Sequence, residues 1–151
     1  MPKILPETPF LSRSPEETLN HAAGIAAAFP HALVLLNGKL GAGKTLWVKG
    51  YAAGLGLPDD VYSPTYTIMN IYQHDRFSLY HLDLYRIGCF EEVVDLGLFE
   101  ILDAGHPCVI EWPERVPALF GLPHIEIWLE TAGDTDRRIL RWNRHEGSRP
   151  A

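Results

Sequence analysis

Cysteine is scarce in this chain. Among 151 residues there are two, Cys89 and Cys108. No CxxC pair and no spaced Cys/His set occurs, which excludes a disulfide framework and a zinc-finger type of site. Both thiols are expected reduced and half-buried, as in a cytosolic protein. Long apolar runs are missing too. No window of about 18 apolar residues exists, which excludes a spanning helix. The opening "MPKILPETPFLSRSPEETL" lacks the apolar centre of a signal peptide. A cytoplasmic protein with no membrane attachment is the expectation. Basic charge is in deficit, with 13 Lys and Arg against 19 Asp and Glu, a net −6. That balance argues against a broad footprint on nucleic acid backbones. The exception is "RRILRWNRHEGSR", which holds Arg137, Arg138, Arg141, Arg144 and Arg149. It reads as a strand with a solvated tail in preference to a nucleic-acid or partner patch. Repeats and low-complexity segments are absent as well.

What is present is a globular composition, 46% hydrophobic and 21% charged. The length fits one domain, 1–151, able to bury roughly 68–70% of its unfolded surface, with residues from about 144 to 151 as a flexible tail. "SPEETLNHAAGIAAAF" predicts a helix: Ser14 at the N-cap, Pro15 at the first position, Glu17 completing a capping box. "ALVLL", Ala32 to Leu36, is an unbroken apolar run and reads as a strand covered on both faces. "KTLWVKGYAAGLG" reads as a largely buried helix stopped at Gly54 or Gly56. "TYTIMNIYQ" and "FSLYHLDLYRI" read as strands. "FEEVVDLGLFEILD" gives two acidic helical turns, with Val93, Val94, Leu96, Phe99 and Leu102 as the apolar positions. "PCVIEW" is a short buried strand. "HIEIWLE" and "RRILRW" form a closing hairpin around "TAGDTD". The sum is one α/β domain with a mixed, mostly parallel central sheet and flanking helices.

One segment carries a specific chemistry. Gly38-Lys39-Leu40-Gly41-Ala42-Gly43-Lys44-Thr45 fits G-x-x-x-x-G-K-[ST] at every fixed position, between a buried strand and a helix. Glycines accept positive φ without a Cβ clash, so the backbone can curl and aim its N–H groups inward at phosphate oxygens. The helix that follows adds the positive end of its dipole, with Leu46 in its first turn. Lys44 is placed to reach the β- and γ-phosphates, and the Thr45 hydroxyl to ligate Mg²⁺. No Asn-Lys-x-Asp segment is present to read a guanine edge, so ATP, with ADP as product, is expected in place of GTP.

A loop of this kind needs carboxylates for Mg²⁺ and for the attacking water. Glu111 ends the apolar run "CVIE", and strand C-termini in open α/β sheets lie beside such loops. Asp83 lies in "YHLDLYR", where a period of two puts His81, Asp83 and Tyr85 on one face and Leu82, Leu84 and Arg86 on the other. A strand-end salt bridge for Glu111, and a hydrogen bond from Asp83 to a nearby loop, are the plain structural readings. Which of the two positions the water stays open. His81 is as consistent with packing as with lining the site, and it has no metal-ligand spacing. In "SPTYT", Pro64 holds Ser63 extended. Ser63 and Thr65 can sense a γ-phosphate as a switch segment does, or simply form a turn into a strand.

Taken in order, "LNGKLGAGKT", "SPTYTIMNIY", "YHLDLYRI" and "VIEWPE" resemble the TsaE family, also called YjeE. The resemblance runs from the first helix to the final strands, and the last three motifs make it specific. It implies a P-loop NTPase-like domain with a mixed sheet, and ATP with Mg²⁺ as ligand. It implies an ATPase that assists formation of threonylcarbamoyladenosine at adenosine 37 of tRNAs reading codons that begin with A. The implied partners are TsaB and TsaD, with tRNA reached through that complex and no transfer of the threonylcarbamoyl group by this protein. By motif, Lys44 holds phosphate, Thr45 and Glu111 hold Mg²⁺, Asp83 supports hydrolysis, and Ser63 and Thr65 form the switch-like loop. Trp112 packs against the site or a partner. The sequence departs from the family pattern at Lys39, often acidic, and at Leu46, often a second threonine; neither supplies a needed phosphate or metal group.

Two other functions use the same loop. A small-molecule or nucleoside kinase would bring a lid with several arginines, yet only Arg86 lies between Asp83 and Glu111. A non-catalytic module, in which ATP only orders an interaction surface, needs the same loop and metal ligands.

Overall fold

The computed structural model describes residues 9–57, 61–133 and 136–147. Its strands are β1 (Phe10–Ser12), β2 (Leu33–Gly38), β3 (Met69–Gln73), β4 (Ser78–Asp83), β5 (Cys108–Glu111), β6 (His124–Thr131) and β7 (Arg138–His145). Its helices are α1 (Pro15–Ala28), α2 (Lys44–Gly54), α3 (Phe90–Asp95) and α4 (Leu98–Asp103). The strands form one sheet in the order β1-β7-β6-β2-β5-β4-β3. Its centre is parallel, β2 against β5 and β6 and β4 against β5; β1–β7, β6–β7 and β3–β4 are antiparallel. The mixed α/β sheet is as expected, and the parallel strands are the ones that end beside the glycine loop. The short edge strand β1 carries no period from which it could be read. β7 runs to His145, so the first two residues of the stretch read as a tail are strand; residues 148–151 lie outside the described residues.

β2 explains its own composition. Val34 and Leu36 enter one core with Ile25 of α1 and Trp47 and Tyr51 of α2. Leu33 and Leu35 enter a second core on the other face with Leu82, Val93, Leu98 and Ile110. Successive strand residues point to opposite faces, so a doubly covered strand is apolar throughout. α1 begins as its sequence demands: Ser14 Oγ accepts from Glu17 N–H at 3.2 Å, and the Glu17 carboxylate reaches back to Arg13 N–H. α2 ends in a Schellman motif, Gly56 N–H to Ala53 O and Leu57 N–H to Ala52 O, both 3.0 Å, with Gly56 at φ +84°. α1 and α2 lie backbone against backbone. A Cβ on Gly50 would sit 2.4 Å from Leu19 O, and one on Gly54 2.8 Å from Ala23 Cα.

Two expectations fail here. Gly97, at φ +85°, breaks the helical phase between α3 and α4. The buried residues are therefore Val93, Leu98 and Ile101, while Val94 is 41% exposed. Neither thiol is half-buried: Cys89 is exposed and Cys108 buried, where the apolar surroundings push its thiol pKa up and leave it inert.

His21 gives the fold a pH dependence. It is buried at 7% exposure, its Nδ1 accepts from Trp47 Nε1–H at 3.3 Å, and Phe10 stacks on it. Burial lowers its pKa to about 4 from 6.5. Below pH 6.5 the unfolded chain takes up a proton that the folded chain refuses. The stabilisation is complete above pH 6.5 and falls as pH drops toward 4, by about 3 kcal/mol in full. Urea unfolding at pH 7.5 and 4.5 is expected to show that loss, and His21→Gln to remove most of it; an equal slope in both proteins would contradict it.

Candidate nucleotide site

The glycine loop joins the end of β2 to the start of α2, and each glycine has its own reason. Gly41 (φ +81°) and Gly43 (φ +99°) occupy the left-handed region. Gly38 leaves only a tight space for a Cβ, which would lie 3.1 Å from both Ala42 Cβ and Leu129 O. Ala42 is buried and closes the turn through its N–H to Lys39 O at 3.0 Å. Leu40 is 92% exposed at the tip. α2 starts on Gly43 with no side-chain cap, so the N–H groups of Lys44, Thr45 and Leu46 are left for an anion.

Lys44 turns back into the loop. It is 7% exposed, donates from Nζ to Gly38 O at 2.6 Å, and stands 3.9 Å over the Trp112 ring. Desolvation lowers its pKa; the charges of Glu111, Asp83 and Glu114 act in the opposite sense. The two carboxylates, Asp83 named from strand period and Glu111 from the end of an apolar run, meet here. Asp83 on β4 is in register with Glu111 on β5, and Leu36 of β2 is in register with Glu111 on its other side. Both are buried, at 5% and 3% exposure.

Asp83 makes local bonds as well. Oδ1 accepts from Tyr85 N–H at 2.9 Å and Oδ2 from the Thr65 hydroxyl at 3.5 Å. Ser63 Oγ and Thr65 Oγ1 share a 2.6 Å hydrogen bond. The "SPTYT" loop thus touches the carboxylate. β4 ends at Asp83, so Tyr85 does not continue its face but turns out and packs on Trp112. Thr45 is partly exposed in the first turn of α2, and with Glu111 it offers the oxygen donors that Mg²⁺ takes.

Three contributors are legible from the sequence only in part or not at all. His81 is fully buried and bonds Glu111 Oε2 through Nε2 at 2.5 Å, fixing one carboxylate oxygen and leaving Oε1 for a metal ion. Its position two residues before Asp83 is the one signal of that role. Arg138 of β7 donates to Ala42 O at 2.9 Å and Gly41 O at 3.4 Å, bracing the loop from outside; the arginine run by itself reads as solvated. The third is strain. Trp112 (φ 57°) and Ile68 (φ 68°) are non-glycine residues in the left-handed region, one after Glu111 and one after the "SPTYT" loop, a distribution typical of functional sites. Beside the loop a cleft of about 550 Å³ opens, lined by Lys39, Leu40, Trp112, Glu114, Trp128 and Glu130 among others.

Comparison with known proteins agrees with this geometry. The family model "Threonylcarbamoyl adenosine biosynthesis protein TsaE" matches residues 12–139. The tRNA threonylcarbamoyladenosine biosynthesis protein TsaE of Treponema pallidum is 38% identical over 130 residues, 85% of this chain and 96% of the relative. That of Bacillus subtilis is 40% identical over 128 residues, 83% of this chain and 79% of the relative. The crystal structure of Bacillus subtilis YdiB superposes with a TM-score of 0.69 at 32% identity, covering 93% of this chain and 86% of that one. With the loop, the paired carboxylates and the match over most of its length, the chain belongs to the TsaE family.

Proposed function

We propose that the protein binds ATP with Mg²⁺ and hydrolyses it slowly, in support of threonylcarbamoyladenosine formation on tRNA. The observation that carries this is the convergence of Asp83 and Glu111, at the ends of adjacent parallel strands, with Lys44 at an uncapped helix N-terminus. The loop N–H groups and Lys44 hold the phosphates; Thr45 and Glu111 would hold Mg²⁺, which would supply positive charge to offset that of the phosphates. His81 orients Glu111. Asp83 serves the attacking water, and its bond to Thr65 links that step to the "SPTYT" loop. The γ-phosphate then has a means to order or release Ser63 and Thr65. Few groups orient the water, so the enzyme alone is slow, and order comes from partners. By family these are TsaB and TsaD, met in the cytoplasm, with tRNA contacted through them. No helix among the described residues is long and apolar enough to cross a membrane.

The test is phosphate release from ATP by the protein alone and with purified TsaB and TsaD. Slow release alone and stimulation by the pair are expected. Transfer to a small acceptor with negligible water attack would establish a kinase instead. Nucleotide binding without release in either condition would establish a non-catalytic module.

A further inference from the structure

We propose that His124, Glu126 and His145 form a site for a divalent cation of the zinc class, at the end of the sheet remote from the glycine loop. β6 runs parallel to β2, so its first residue, His124, lies at the end opposite Gly38. His145, the last residue of β7, is directly across from it. Glu126, two residues along, shares the face of His124. One ligating atom from each of the three lies within 4.8 Å of the other two. The imidazoles stack at 4.7 Å.

The hydrogen bonding leaves the right atoms free. His124 Nδ1 is 2.6 Å from Leu122 O, so that nitrogen carries the proton and Nε2 presents a lone pair. A backbone carbonyl on the second ring nitrogen is the usual means of orienting a metal-bound histidine. His124 is 5% exposed, and its Nε2 is buried with no hydrogen-bond partner. Such orphaned atoms are rare and call for an explanation. His145 Nε2 lies 3.3 Å from Glu126 Oε1 yet is likewise buried without a hydrogen bond. An ion pair between those two accounts for their contact but not for the lone pair of His124. Glu126 is itself held, Oε2 accepting from Asn37 Nδ2 at 3.0 Å.

Tetrahedral zinc at about 2.0–2.2 Å sets its donors roughly 3.4 Å apart. The site therefore closes by rotation of His145, whose side chain is 40% exposed. Two imidazoles and one carboxylate suit Zn²⁺ or Co²⁺ and not Mg²⁺ or Ca²⁺. His124 and His145 also line a cleft of about 310 Å³ with His31 and Glu146, which gives the ion an entry path and room for a water as fourth ligand. A bound ion would tie β6 to β7.

Chelator-stripped protein, free of nucleotide, is titrated with Zn²⁺ in competition with a chromogenic chelator, and with Co²⁺ followed by its visible absorption. One ion per chain at micromolar affinity or tighter is expected, with the absorption of tetrahedral Co²⁺. His145→Gln and Glu126→Gln are each expected to weaken Zn²⁺ at least about tenfold, with excess Mg²⁺ failing to displace it. These two partly exposed positions tolerate a polar replacement better than the buried His124 does, and circular dichroism checks that both variants fold. Substoichiometric binding, displacement by Mg²⁺, or affinity unchanged in both variants would overturn the assignment.

Discussion

Lys44→Ala is expected to lower ATP affinity by about a hundredfold. A hydrogen bond to a charged partner contributes about 1.5–3 kcal/mol, and 1.4 kcal/mol is tenfold in affinity. In the structure the ammonium rests on Gly38 O and the face of Trp112. It is thus held inside the loop before phosphate arrives, and binding orders little further. Its burial keeps its charge poorly solvated, which favours exchanging the carbonyl for a phosphate oxygen. Titration with a fluorescent ATP analogue measures the loss, and an affinity within threefold of the unaltered protein would refute it. Burial holds the Lys44 pKa below its ordinary value, and the charges of Glu111, Asp83 and Glu114 offset only part of that cost.

The second large effect belongs to Asp83. Asp83→Ala is expected to leave ATP affinity nearly unchanged and to cut turnover about a hundredfold, the low end of what a positioned acid or base supplies. The residue has two jobs that substitution can part. Its Oδ1 holds the turn at Tyr85 N–H, and its Oδ2 meets Thr65. Asp83→Asn keeps an acceptor for Tyr85 but loses the charge. If the asparagine variant fails as the alanine variant does, charge is the essential property; if only the alanine variant fails, the turn is. Normal turnover in both would remove Asp83 from the hydrolytic step. Single-turnover phosphate release, compared with nucleotide binding on the same samples, separates these outcomes.

How much of this was legible in the sequence follows from the range of each interaction. The glycine loop is a local pattern: eight consecutive residues specify a curl whose positive φ angles at Gly41 and Gly43 the structure shows. Asp83 was legible through the period of its strand and Glu111 as the carboxylate closing an apolar run, since the C-terminal ends of parallel strands lie beside such a loop. Arg138 was not, because nothing in "RRILRW" shows that one guanidinium reaches carbonyls in another part of the chain. The resemblance places Trp112 at the site or a partner, but its contact with Lys44 is of the same long-range kind. The helical turns after Phe90 were misphased because a single left-handed residue, Gly97, resets the rotation that periodicity assumes constant.

The position of β2 has a consequence for the order of assembly. It is made early, yet its two neighbours are β5 and β6, and the arginine that braces its loop is separated from Ala42 by 96 positions. Pairings this distant close late and slowly, and chains emerge from the ribosome N-terminus first. The α1–α2 pair can dock at once, but β2 stays an unpaired apolar ribbon until β5 and β6 have been synthesised. The proposed grip on a triphosphate therefore waits for these late pairings. A nascent chain arrested before Arg138 is expected to show helical structure and no nucleotide retention.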